Sequence, residues 1–103
     1  MTPEEMNRLI AERTGIVKVV AWDDGDHCEI RTVPDFATEP WNGRLLQHAW
    51  ENRCDVKYQH GGKNAFVVTI LAPDGAFQYW DHDPDHRIAF RNAFAKMVKG
   101  ENK

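Results

Sequence analysis

The sequence predicts an α+β protein folded as a three-layer αβα sandwich, with an antiparallel sheet of four or five strands and the element order α-β-β-α-β-β-β-α. Three observations predict it. Apolar residues recur at helical spacing in three separate segments and at strand spacing in five. The strands are joined by short Gly, Asp and Asn turns, which makes them antiparallel neighbours. Ala65 to Ala72, AFVVTILA, is apolar on both faces, so the sheet is expected to carry helices on both sides.

The first helix starts at Thr2-Pro3-Glu4-Glu5. Thr2 suits the cap, Pro3 the first helical position, and Glu5 completes a capping box. Met6, Leu9 and Ile10 keep helical phase, and Gly15 closes the helix. Ile16 to Trp22 and Cys28 to Val33 read as two strands across the turn DDGDH. Pro34 ends the second, and the loop PDFATEP leads to a helix over Pro40 to Asn52, with Trp41, Leu45, Leu46, Ala49 and Trp50 on its apolar face. From Cys54 the period becomes two, through CDVKYQH, the turn Gly61-Gly62-Lys63-Asn64, AFVVTILA, the turn Pro73-Asp74-Gly75, and AFQYW at 76–80. Phe90, Ala93, Phe94 and Met97 mark the last helix, with Gly100 as its expected stop. Asp83 before Pro84 is the expected N-cap, and Asp85 falls in the first turn, where negative charge is favourable.

Length and composition fit one soluble domain over 1–103, with 42% hydrophobic and 28% charged residues. A net charge of −3 argues against direct nucleic-acid binding, which needs clustered Lys and Arg. The acidic, helical start MTPEEMNRL is not expected to be a secretory signal, and no apolar run in the sequence is long enough for a membrane span. The expected location is therefore the cytoplasm of a host cell, with Cys28 and Cys54 reduced. No cofactor is expected.

This succession of landmarks resembles a family of small bacteriophage proteins, the phage ABA-sandwich domain. The landmarks are the opening helix EEMNRLIAERTG, the proline-aromatic loop Val33-Pro34-Asp35-Phe36-Ala37-Thr38, the Ala49-Trp50 pair, and IAFRNAFAKMV at 88–98. Ile16 departs from a frequent tryptophan after the first helix, and DHDPDH at 81–86 stands where a small-residue and proline loop is usual. The resemblance implies a phage accessory protein without an assigned activity. By analogy of setting, such proteins bind and block a host component, including parts of host defence.

The stretch WDHDPDH holds the densest chemistry. His and carboxylate groups suit zinc, manganese or iron, so Asp81, His82, Asp83 and His86 are candidate ligands of a metal-dependent hydrolase or nuclease, with Asp23, Asp24, Asp26 and His27 as neighbours to be brought in by the fold. The bland alternative is a solvated loop that caps a helix. For nucleophilic chemistry the sequence offers only His27-Cys28 and His48 with Cys54. Four tryptophans are many for a core this small. Trp22 and Trp80 end strands and lead into acidic turns, so the expected binding surface comprises Trp22, Trp80, Asp81, His82, His86 and Arg87, and its partner is a host protein. A second reading is a sponge for a small anionic ligand such as a signalling nucleotide, using Arg31, Arg44, Lys57, Lys63 and Arg87. An open edge strand also makes a homodimer an expectation.

Overall fold

The computed structural model describes residues 1–23, 28–62, 65–73, 75 and 77–101, and only the backbone over 20–23, 28–30 and at 101. Eight elements run in the predicted order: α1 (Pro3–Thr14), β1 (Lys18–Asp23), β2 (Cys28–Thr32), α2 (Trp41–Glu51), β3 (Asp55–His60), β4 (Phe66–Leu71), β5 (Gln78–Asp83) and α3 (His86–Glu101). The α+β class is as predicted. The loop between β1 and β2, with Asp24, Asp26 and His27, and the turn residues Lys63, Asn64 and Asp74 lie outside the described residues.

α1 begins and ends as its sequence dictates. Thr2 Oγ1 accepts the Glu5 amide at 3.2 Å. Gly15 adopts φ 76°, a conformation that strains a residue with a Cβ, and its amide donates to the Ala11 carbonyl at 2.8 Å.

The five strands are divided where one sheet of four or five was expected. β1 and β2 form a two-stranded sheet, and β3, β4 and β5 form a three-stranded one in that order. Short hairpins fix β1 beside β2 and join β3, β4 and β5, but nothing local joins the two sets. The chain leaves β2 through Pro34 and buries Phe36 in the core before α2 begins.

Register sorts the three-stranded sheet into two faces. Val56, Val68 and Ile70 lie on one face with Tyr58, Phe66, Tyr79, Asp81 and Asp83. Val68 and Ile70 are fully buried, in the same core as Met6 and Ile10 of α1, Leu45 and Ala49 of α2, and most of α3. The other face carries Asp55, Lys57 and Gln59 on β3, Val67, Thr69 and Leu71 on β4, and Gln78, Trp80 and His82 on β5. Its central row is half-buried and its flanks are exposed. The three helices share a core with the first face, and the second is open among the described residues.

α3 is the central helix. Phe90, Ala93, Phe94 and Met97 face the sheet, as predicted, and burying each large side chain among them contributes about 1.5–3 kcal/mol. Arg91, Ala95 and Val98 face α1 and are also buried. That leaves a narrow polar stripe of half-buried Asn92 with exposed Lys96 and Lys99. Gly100 does not stop α3. It lies inside the helix, and a Cβ there would stand 3.0 Å from the Tyr79 ring. The missing side chain admits that ring.

Three polar side chains are buried with the core: Asn7, Asn42 and Arg91. Asn7 Oδ1 accepts the Phe36 amide at 3.1 Å and Arg91 Nη1 at 3.3 Å. Asn42 Nδ2 donates to the carbonyls of Phe36 at 2.8 Å and Arg87 at 3.1 Å. Arg91 also reaches Asp35 at 3.3 Å. Burial lowers the Arg91 pKa, while the charges of Asp35 and Asp83 oppose that shift. The network holds the loop after Pro34 to all three helices. Among the described residues every buried side-chain polar atom has a partner.

Candidate functional site

The site builds from β5. The sequence predicts its strand over 76–80, but the ladder to β4 runs from Leu71↔Gln78 to Phe66↔Asp83. Asp81, His82 and Asp83 are therefore strand residues, and their side chains alternate. Trp80 and His82 share the open face, while Asp81 and Asp83 fall on the helix-bearing face. The rest of the acidic stretch is a cap. Asp83 Oδ1 accepts the Asp85 amide at 2.9 Å, and Asp85 Oδ1 accepts the Arg87 amide at 2.9 Å. With α3 starting at His86, the N-cap is Asp85. The expected cap, Asp83, is displaced because the strand continues through it.

Trp80 is 54% exposed yet held in place. The His82 ring lies 6.1 Å from the indole with 28° between the planes. Lys96 of α3 crosses the edge of β5, with Nζ 5.7 Å from the ring centroid and donating to the Trp80 carbonyl at 3.0 Å. The carboxylate of Asp81, 3.8 Å from Nζ, steadies the ammonium and also accepts the His82 amide at 2.8 Å. A cation over the indole and a parallel imidazole both favour one orientation of a large aromatic surface. Across the strands, Lys57, Thr69 and Trp80 form one row, and Gln59, Val67 and His82 the next.

The six residues expected to form one surface are thus divided. Trp80 and His82 stand together, with Asp81 supporting them through Lys96. His86 lies on the helix-bearing face, edge-on to Tyr58 at 6.0 Å and Phe66 at 5.6 Å. The Arg87 guanidinium stays beside Asp85 at 3.9 Å. Trp22 belongs to β1, in the other sheet, and its side chain is outside the description. Sequence reasoning missed Lys96, because 16 residues separate it from Trp80 and only the packing of α3 on β5 joins them.

The competing chemistries find less support. His82 and His86 lie on opposite faces of the sheet, so the stretch does not converge on an ion. Among the described residues no three His, Cys, Asp or Glu side chains are grouped so as to hold a metal. Of the cations named for an anionic ligand, Arg44 stands over the Trp41 ring at 4.7 Å, Lys57 is on the open face, and Arg87 is beside Asp85. Arg31 is on β2, and Lys63 is outside the described residues. His48 and Cys54 do line one cleft, of about 140 Å³, with Phe94 and Met97. There the Cys54 sulfur stands 4.0 Å from the Asn52 carbonyl at the end of α2, where a helix disfavours negative charge.

No family model matches the sequence, and comparison with curated proteins gives no match. Among solved structures, the chain is similar to a phage protein from Bacillus cereus ATCC 14579, known from a crystal structure, with a TM-score of 0.57 and 20% identity over 94% of this chain and 88% of that one. At that identity the likeness is one of fold. No described helix is long and apolar enough to cross a membrane.

Proposed function

We propose that this chain is a non-enzymatic accessory protein of a bacteriophage, of the ABA-sandwich kind, that binds a host protein through the open face of its three-stranded sheet. The observation that carries this reading is Trp80, half-exposed on a sheet face free of helices and fixed by His82 and Lys96. Pre-fixed aromatic side chains lose little freedom on binding and dominate interface energies. The phage setting is supported by the fold likeness to the Bacillus cereus phage protein. A component of host antiviral defence is the class of partner that setting suggests.

The test is capture from bacterial host lysate with the wild-type chain, Trp80→Ala and Trp50→Ala. Trp50 is 61% exposed on α2 and serves as the control. Trp80→Ala should weaken the captured interaction by about 30-fold, the loss of an anchor that contributes about 2 kcal/mol. Trp50→Ala should leave it intact. A Trp80→Ala variant that folds and captures the same partner with unchanged affinity would remove the open face from the reading.

A further inference from the structure

β3 is an edge strand whose outer backbone can be read residue by residue. The Gly61 amide donates to the Ala65 carbonyl at 3.0 Å. Residues of an antiparallel ladder alternate between those bonded to the neighbour and those turned away from it. Continued along the β3–β4 register, that bond turns Asp55, Lys57 and Gln59 towards β4. The next ladder agrees, because the Ala72 amide donates to the Phe77 carbonyl at 3.1 Å and so turns the even-numbered residues of β4 towards β5. The N–H and C=O groups of Val56, Tyr58 and His60 therefore point out of the sheet, and they have no partner among the described residues. β1 and β2 form their own sheet and leave them uncovered. On the opposite edge Lys96 occupies the Trp80 carbonyl, and lysine on an edge strand is a common guard against strand addition. Among the described residues no side chain occupies the outward groups of β3. Three donors and three acceptors at two-residue intervals match an extended backbone.

The helix beside this edge is also one strand short. α2 packs against β3, and α3 against β4 and β5. His48 of α2 meets Phe94 of α3, with ring centroids 6.4 Å apart. Trp50 comes two residues later, about 200° further around the helix. It therefore stands on the flank of α2 away from α3, and it is 61% exposed. Tyr58, on the helix-bearing face of β3, is 40% exposed. A fourth strand beside β3 would lie under that flank and cover both aromatics. A second copy of the chain fits poorly there. Joining β3 to β3 would bring two α2 helices to one axis over strands about 4.8 Å apart, whereas packed helices need about 8–10 Å.

We infer that the outer edge of β3 receives an extended peptide segment of a partner protein as a fourth strand of this sheet. The segment alternates in character. Its apolar side chains lie on the helix-bearing side, against Tyr58 and Trp50, and its polar ones lie on the open side, beside Asp55, Lys57 and Gln59. Main-chain bonds supply the affinity, and the alternate side chains select the sequence. At one end the Cys54 amide is already bonded to the Ala49 carbonyl of α2 at 2.9 Å, so the added strand stops short of residue 54. The edge lies across the sheet from β5 and is independent of Trp80.

An arrayed set of end-blocked peptides that alternate Val, Ile or Phe with Thr, Lys or Glu tests this, with binding followed by fluorescence anisotropy and amide hydrogen exchange. The fold of each variant is checked by its melting temperature. Binders should slow exchange at Val56, Tyr58 and His60, whose amides exchange freely in the chain alone. A bound strand turns every second amide towards β3, so N-methylation of one alternating set of peptide amides should weaken binding by about tenfold and N-methylation of the other should not. Trp50→Ala should also weaken binding by about tenfold, and Trp80→Ala should leave it unchanged. A set without binders, binders indifferent to N-methylation at either set, or a folded Trp50→Ala that binds like wild type would each overturn the inference. So would peptide binding that is lost in Trp80→Ala, or self-association of the free chain that protects the same three amides, which would give the edge to a second copy.

Discussion

Asn42→Ala should be the most destabilising polar substitution in the molecule, and the structure gives its size. Asn42 is 4% exposed, and its amide donates to two carbonyls. The Arg87 carbonyl lies in the first turn of α3 and keeps its helical bond, so it loses only a second donor. The Phe36 carbonyl belongs to a loop and is left buried without a donor. An orphaned buried carbonyl costs roughly 1–3 kcal/mol, and the lost bond to Arg87 adds about 0.5 kcal/mol. The expected total is about 2–3 kcal/mol, which for a chain near 100 residues lowers the melting temperature by about 10–20 °C. Thermal and urea denaturation followed by circular dichroism would measure it. Gln47→Ala, which removes an exposed bond to Glu51, is the control and should cost under about 0.5 kcal/mol. Because Asn7 holds the amide of the same Phe36, Asn7→Ala and Asn42→Ala should be coupled by about 0.5 kcal/mol or more. A loss for Asn42→Ala no larger than the control, or strict additivity with Asn7→Ala, would refute the view that these amides grip one loop.

Other consequences are as direct. Asp85→Ala removes the cap of α3 and should cost about 1 kcal/mol, whereas Pro84→Ala, outside the cap, should cost less; urea midpoints would rank them. Gly100→Val places methyl groups against the Tyr79 ring and should destabilise although it replaces a glycine in a helix; a stabilised variant would show that the ring can move aside. Burial, reinforced by the charge of Glu39, raises the Tyr58 pKa. A raised folded-state value means that the folded chain holds its proton longer. That contribution is intact below about pH 10, the ordinary tyrosine value, and is lost as pH rises through the folded value. Tyr58→Phe should flatten the alkaline fall in melting temperature, and an unchanged profile would place the titration elsewhere.

What the sequence made legible was local. The TPEE start and Gly15 end of α1 depend on bonds within one turn, and the apolar stripe of α3 is carried by its own spacing. The end of β5 was not legible, because Asp81, His82 and Asp83 have poor strand propensity and are drawn into the ladder by Phe66, Val67 and Val68 across from them. Gly100 reads as a stop until Tyr79 is seen against it. The division into two sheets was likewise hidden, since hairpins specify neighbours and not which sets of strands merge. The buried polar network did leave a trace. Asn42 is in phase with Leu45, Leu46 and Ala49, Asn7 with Ile10 and Ala11, and Arg91 with Phe94, Ala95 and Val98. In each case a polar residue opens an apolar run at i+3 and i+4, a position that faces the core. Of the candidate site, Trp80 and His82 were identifiable as chemistry, but their common face follows only from the extended strand, and Lys96 only from the tertiary fold.

Site-specific photo-crosslinking in host cells most directly probes the claim that the uncovered sheet face is where this protein meets its target. A photoreactive residue at Gln78, beside Trp80 on that face, should yield a discrete crosslinked host protein, while the same probe at Glu12, on the exposed side of α1, should not. Crosslinks that form from Glu12 and are missing from Gln78 would place the contact on the helical side and contradict the account.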